Sequence, residues 1–405
     1  MRLKRFLKSN LFLILAFLFV FAAGWQLGFS GLELSLKLNP PTIKVENKTP
    51  PSSTVDFSLL WEVIERINTD YLFRPVDGTK LLYGAISGLV EALGDPYTSF
   101  LDPQENEQFE ESLNGVYEGI GAEIGIRNDQ LIIVAPLDGS PAKAVGVRAG
   151  DKILEVDGVT TVGVTIAEAV AKIRGAAGSS VVLTLQRDND PSFEVTITRA
   201  QIKVESVSWQ QKGDGIYYIK VSRFGEGTNE EWDEVVGGIR DQGSDIRGIV
   251  LDLRSNPGGY LSSAVYLASE FLERGTVVIQ EDSSGTRKSL SSQSTTNDHA
   301  FSGVKIIVLI DGGSASASEI LAAALSERTG AKLVGEKTFG KGTVQDAVDF
   351  EDGSGLHISV AKWLTSRGVW VHEDGLEPDY NVALSEEDIN AERDPQLDKA
   401  LELLK

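Results

Sequence analysis

Between residues 202 and 380 short apolar strands alternate with amphipathic helices, and this alternation constrains the fold more than any other feature of the chain. Residues 306–310 carry no polar side chain, and residues 249–253 carry only Asp252. Strands of that kind have no solvent face, as in sheets covered on both sides. A helical pattern follows each, over 261–272 and 318–328, and residues 332–334 read as another strand. The order predicts an α/β core with partly parallel strands. Residues 281–298, rich in Ser and Thr, read as a loop or ragged hairpin.

Upstream the pattern changes. Residues 116–199 form a compact β-rich unit, with strands expected at 121–127, 131–135, 152–156, 181–186 and 193–198 and a helix over 165–173. Before it, Leu60, Val63, Ile64 and Ile67 recur at helical spacing. A second helix carries Leu82, Ile86, Leu89, Val90 and Leu93 and stops at Gly94-Asp95-Pro96. An acidic helix over 103–113 ends this region. Near the end, Leu397, Ala400, Leu401 and Leu404 share one face of a short helix. The expected divisions are 1–30, 31–54, 55–112, 113–200, 201–380 and 381–405.

Residues 31–54, with Pro40-Pro41 and Pro50-Pro51, read as an extended linker. Ahead of them Arg2, Lys4, Arg5 and Lys8 precede an apolar run over 11–29. Roughly 19 residues suffice to cross about 30 Å of hydrocarbon. The basic flank would stay in the cytoplasm and place the body outside. The expectation is a single-pass anchor in a bacterial cell membrane, with a cleaved signal peptide as the alternative. The formal net charge of −21 argues against nucleic-acid binding, which needs a basic surface. There is no cysteine, which excludes thiol catalysis and cysteine-based zinc sites. The three histidines, His299, His357 and His372, fall in no metalloprotease spacing. No metal and no cofactor is implied.

Four segments carry chemistry. In 311–319 (Asp-Gly-Gly-Ser-Ala-Ser-Ala-Ser-Glu) small residues join an apolar strand to a helix. A serine at such a helix N-terminus sits beside free N–H groups and a favourable dipole. A Ser-rich helix cap has the same composition. A serine nucleophile needs a base, and no histidine is an obvious partner. Segment 335–345 offers Lys341 between Gly340 and Gly342, with Gln345 four residues on. A desolvated lysine can act as a base. On a strand Gln345 would share its face and orient it without adding charge. Residues 335–341 also approach a phosphate-binding loop, but Gly342 replaces the needed hydroxyl and a strand follows, not a helix. Segment 251–259 ends a strand in Asn256-Pro257-Gly258-Gly259, a source of further oxyanion donors or an ordinary junction. Gly119-Ile120-Gly121 opens the β-rich unit with a nest for a carboxylate beside a strand edge.

Taken in order, these segments resemble the C-terminal processing (tail-specific) serine proteases, peptidase family S41. The resemblance runs from Leu93-Gly94-Asp95-Pro96-Tyr97-Thr98, through Gly119-Ile120-Gly121, 252–259, 313–319 and 335–342, to 375–379 and 394–397. It implies a multidomain protein: an N-terminal transmembrane helix, a helical N-terminal region, a PDZ domain and an α/β (crotonase/ClpP-like) protease core. Ser316 would be the nucleophile, Lys341 its base and Gln345 the residue positioning the lysine. Ala317 with Gly258 or Gly259 would form the oxyanion hole. Gly119, Ile120 and Gly121 would hold a substrate's C-terminal carboxylate. Arg174 would be regulatory, although a cation ending a helix is as ordinary a reading. The resemblance also implies a homodimer, formed by the helices at 57–112 and 395–404, and an activating or adaptor protein. Two rival expectations share the architecture: a PDZ scaffold presenting tails to a partner enzyme, and a lipid-binding relative without catalysis.

Overall fold

The computed structural model describes residues 21, 32–38, 41–47 and 57–405, apart from 128–129, 138, 165, 188–189, 214, 244, 386, 389–390 and 392. It divides into two compact units at Leu82/Tyr83. In the first, β1 (Leu32–Leu38) and β2 (Pro41–Asn47) pair antiparallel, where an unpaired linker was expected. The reason is legible afterwards: Leu32, Leu34, Leu36 and Leu38 alternate with polar residues, a strand period that the prolines obscure. Helix α1 (Ser58–Asp70) follows, then α2 (Gly78–Glu91), within which the division falls. Among the described residues no helix is long and apolar enough to cross a membrane. The anchor expected over 1–30 lies outside them, Phe21 aside.

The second unit opens with β3 (Ser99–Leu101) and α3 (Pro103–Asn114), capped by Asp102 and ended by Gly115 at φ +64°. The β-rich part comprises β4 (Val116–Gly119), β5 (Ala122–Arg127), β6 (Gln130–Pro136), α4 (Pro141–Ala144), β7 (Lys152–Val156), β8 (Val159–Thr160), α5 (Ile166–Ile173), β9 (Ser180–Gln186), β10 (Phe193–Thr198) and β11 (Ala200–Lys203). Its sheet runs β10-β9-β7-β6-β5 around Ile133, Ile153, Leu183 and Ile197. It joins the rest through a ribbon in which β4 and β11 pair antiparallel, Val116 opposite Lys203 and Gly119 opposite Ala200.

The remainder is β12 (Val207–Gly213), β13 (Ile216–Val221), α6 (Thr228–Asp241), β14 (Gly248–Asp252), α7 (Leu261–Ser269), β15 (Thr276–Asp282), β16 (Arg287–Ser291), β17 (Lys305–Ile310), α8 (Ala317–Thr329), β18 (Lys332–Gly335), β19 (Thr343–Asp349), β20 (Gly355–Leu364), β21 (Tyr380–Asn381) and α9 (Pro395–Leu404). One sheet has the order β12-β13-β14-β17-β18-β21, parallel from β13 onward. A second, antiparallel, has the order β16-β15-β20-β19, with β3 on β20. Residues 281–298, expected as a loop or ragged hairpin, hold the turn and second arm of a hairpin, β15 against β16, followed by a stretch without strand structure.

The apolar strands are explained by what covers them. Ile249, Leu251, Val308 and Ile310 belong to the core with α6, α7 and α8. Val250, Ile307 and Leu309, alternating with them, belong to a second core with Ala400 and Leu404 of α9. Each such side chain is worth about 1.5–3 kcal/mol when fully buried. The apolar face of α9 is therefore spent on its own sheet.

Candidate active site

Three neighbouring parallel strands, β14, β17 and β18, end on the same side of the sheet, and ligands collect at such carboxyl ends. Turn 253–259 leaves β14, turn 311–316 leaves β17 into α8, and loop 336–342 leaves β18 into β19.

The structure separates three serines that composition could not. Ser314 and Ser318 are fully buried, with Oγ donated to Leu253 O (2.8 Å) and Asn256 O (2.9 Å) respectively. Ser316 is half-buried and lines a cavity of about 350 Å³ together with Gly258, Gly259, Lys341 and Gln345. Its φ of +54° is costly for a residue with a Cβ, of order 1–3 kcal/mol. The turn is held there by Glu319, whose carboxylate accepts the Ser316 N–H at 2.8 Å.

Glu319 does more than cap the helix. It is fully buried and also accepts from Thr338 Oγ1 (2.6 Å), Gly340 N–H (2.8 Å) and Lys341 N–H (3.0 Å). One carboxylate thus ties the serine turn to the lysine loop, with its hydrogen-bonding capacity filled. Sequence reasoning missed this role, although Ser316-x-x-Glu319 has capping-box spacing.

Lys341 is half-buried in the cavity wall, and that burial pushes its ammonium pKa down while Asp95 pulls it back up. Its Nζ donates to Gln345 Oε1 at 2.6 Å. The route is not the expected one: Lys341 precedes β19, and a register shift between Val344 and Gln345 breaks the strand period. The amide of Gln345 is set from elsewhere, its Nε2 donating to Tyr97 O. The carbonyls of Lys341 and Gly342 accept from the indoles of Trp363 (2.7 Å) and Trp370 (2.8 Å). His357 also lines the cavity, its ring edge-on to Phe109 of α3 at 4.3 Å. Burial lowers its pKa, and Lys341 lowers it further.

Ala317 follows Ser316 in the chain, and Gly259 shares the cavity lining with it. Ala317 begins α8, so its N–H has no acceptor within the helix. Phe224 bonds Gly258 O and Tyr260 N–H, which turns the N–H of Gly259 away from it. The N–H of Gly258 is engaged by Asn256 Oδ1 at 2.9 Å. Gly258 instead provides room: a Cβ there would lie 2.9 Å from Ser316 Cβ and 3.0 Å from Ala317 N.

Turn 253–259 is anchored behind the site. Arg254 donates to Asp252 and to Asp394, the residue that caps α9, and to Gln396 Oε1 (2.8 Å). Burial opposes its charge, but these carboxylates push its pKa up. Ser255, at φ +56°, is held by Asp311 Oδ1 on its N–H at 2.8 Å.

In the β-rich part, Gly119, Ile120 and Gly121 line a smaller groove of about 170 Å³ with Ile173 and Arg174. The carbonyls of Ile120 and Gly121 accept from Ala142 and Leu137 N–H. Gly121 has φ +70°, and a Cβ would come within 2.5 Å of Ser140 Cβ. Arg174 stacks over the Tyr117 ring at 4.7 Å and faces Glu111 of α3 at 3.7 Å.

Among known proteins, residues 215–382 match peptidase family S41, residues 132–187 a PDZ domain, and residues 22–105 the N-terminal domain of the activating protease CtpB. The chain is 36% identical over 338 residues to the carboxy-terminal processing protease CtpA of Bacillus subtilis (strain 168), covering 83% of this chain and 71% of that one. With CtpB of the same organism it shares 37% identity over 367 residues, covering 89% and 75%. A solved structure from Bacteroides fragilis NCTC 9343, provisionally assigned as an S41 protease, matches with a TM-score of 0.56 at 16% identity, covering 88% of this chain and 99% of that one. That last likeness is one of fold alone.

Proposed function

Because the chain belongs to peptidase family S41 and is a serine peptidase of the carboxy-terminal processing kind, we propose that Ser316 and Lys341 perform its chemistry as a dyad. Neutral Lys341 takes the Ser316 proton as Oγ attacks the peptide carbonyl. The oxyanion is held by the N–H groups of Ala317 and Gly259. Lys341 then protonates the leaving amine, and water hydrolyses the acyl-enzyme by the same route in reverse. Loss of one oxyanion donor would cost about 3 kcal/mol.

The observation that carries this reading is the setting of Lys341. It is half-buried, its pKa is depressed, and its Nζ meets an amide oxygen instead of a carboxylate. A structural lysine would be paired with an acid and held protonated. Ser316 Oγ and Lys341 Nζ are not hydrogen-bonded to each other, in keeping with catalytic bonds that tighten only when substrate binds.

The PDZ groove at Gly119–Gly121 would take the free C-terminus of a protein substrate and feed the chain to Ser316. Arg174, on that groove and paired with Glu111 of α3, would report its occupancy. The basic flank and apolar run before residue 30 support a membrane-anchored body outside the cytoplasm.

The test is cleavage of an unstructured protein with an apolar C-terminus by the full chain, beside Ser316→Ala. The expected result is turnover by the parent and loss of at least about a thousandfold in the variant. Intact tail binding without turnover or serine-probe labelling in the parent would favour the scaffold reading.

A further inference from the structure

The segment Leu93–Thr98 belongs to the family resemblance, yet the dyad gives it no task. The structure brings it to Lys341. The Tyr97 carbonyl accepts Nε2 of Gln345, which turns the other end of that amide, Oε1, onto Lys341 Nζ. The Tyr97 ring lies over the same Nζ, 5.3 Å from its centroid, and is flanked by the rings of His372 (5.8 Å) and Phe339 (6.5 Å).

The turn is built to hold Tyr97 there. Asp95 accepts the Tyr97 N–H at 3.0 Å and Thr98 Oγ1 at 2.6 Å. Thr98, itself buried, accepts Ser359 N–H at 3.0 Å, and β3 continues onto β20. A loop that only covered the surface would not need these anchors.

We infer that the turn Asp95–Thr98 is a structural part of the active site, in which Tyr97 is a positioning residue that fixes Gln345 and keeps water from Lys341. This rests on Lys341 being the base. The carbonyl resolves which end of the Gln345 amide faces the lysine. The ring supplies part of the burial that keeps the amine neutral. Asp95 acts in the opposite sense, since its carboxylate favours the ammonium. The other groups facing Lys341 are Glu319, whose carboxylate is filled by hydrogen bonds, His357 across the cavity, and His372 beside the Gly342 N–H.

The experiment is the pH profile of kcat/KM for the full chain. A base must be neutral, so activity rises with pH through the pKa of Lys341. Tyr97→Ala admits water and should move that rising limb alkaline by about one pH unit, a roughly tenfold loss on its acidic side with the plateau retained. Tyr97→Phe keeps ring and carbonyl and should leave the limb in place. Asp95→Asn keeps the turn-forming side chain and should move the limb acidic. A ring also attracts an ammonium, which pulls against the exclusion of water. A Tyr97→Ala limb that moves acidic, or a loss that is uniform across pH, overturns the inference. Lys341→Ala is the separating control. If it is dead while the Tyr97→Ala limb stays fixed, only the inference fails; if it keeps activity, the base assignment fails and takes the inference with it.

Discussion

At the scale of single residues, the site depends on charges placed where they are poorly tolerated. Lys341 has a folded-state pKa below its unfolded one because of burial. Between those values the unfolded chain binds a proton that the folded chain does not, so stability rises with pH there. The cost is complete below the folded-state pKa and vanishes above about pH 10.5. Lys341→Met should therefore abolish activity while gaining stability over the parent as pH falls from that point, measurable as diverging denaturation midpoints across a pH series. Identical pH dependence in the two proteins would mean that the lysine is not desolvated. Ser316 was singled out from Ser314 and Ser318 by the family resemblance alone, whereas the glycines around Lys341 and the amide four residues on marked the lysine loop in the sequence itself. Tyr97 was not legible, because its contribution is partly a backbone carbonyl, and a carbonyl has no letter in the sequence. Glu319 was half-legible: the capping spacing was present, but its reach to loop 336–342 needed the parallel pairing of β17 with β18.

At the scale of elements, the parallel strands could be read because burial on both faces removes their polar alternation. What covers the second face could not, since a helix with one apolar stripe fits a dimer partner as well as its own sheet. Structure gives the sheet: Leu404 and Ala400 lie with Val250, Ile307 and Val334. Through Asp394 and Gln396, α9 also holds Arg254 one residue before the strained Ser255. Asp394→Ala removes one partner of a partly buried pair but leaves Arg254 its Asp252 and Gln396, so a cost of about 1–3 kcal/mol is expected. Its effect should exceed that of breaking the exposed Lys399–Glu402 pair, which is worth well under 1 kcal/mol. Urea denaturation of the two variants would decide; equal midpoints would remove α9 from the support of turn 253–259.

At the scale of the whole second unit, the groove at Gly121 and the cavity at Ser316 share α3. That helix presents Phe109 and Leu113 to the cavity and Glu111 to Arg174. A tail carboxylate arriving at the groove would compete with Glu111 for the guanidinium. Glu111→Gln should strengthen binding of a peptide with a free C-terminus and leave that of its amidated form unchanged, by titration calorimetry. Equal changes for both peptides would show that Arg174 does not meet the carboxylate. The resemblance gave Arg174 a regulatory role, but its pairing with Glu111 was not visible beforehand, because residues 111 and 174 are brought together only by the insertion of one part into the other.

That insertion has a mechanical side. Strands β4 and β11 run outward and back as one ribbon, with Val116 and Lys203 at the root and Gly119 and Ala200 at the tip. Tension between the two parts loads both strands equally along their covalent backbones and does not shear the hydrogen bonds between them. Such a ribbon resists stretching more than bending or twist, so it fixes the distance between the two parts better than the angle between them.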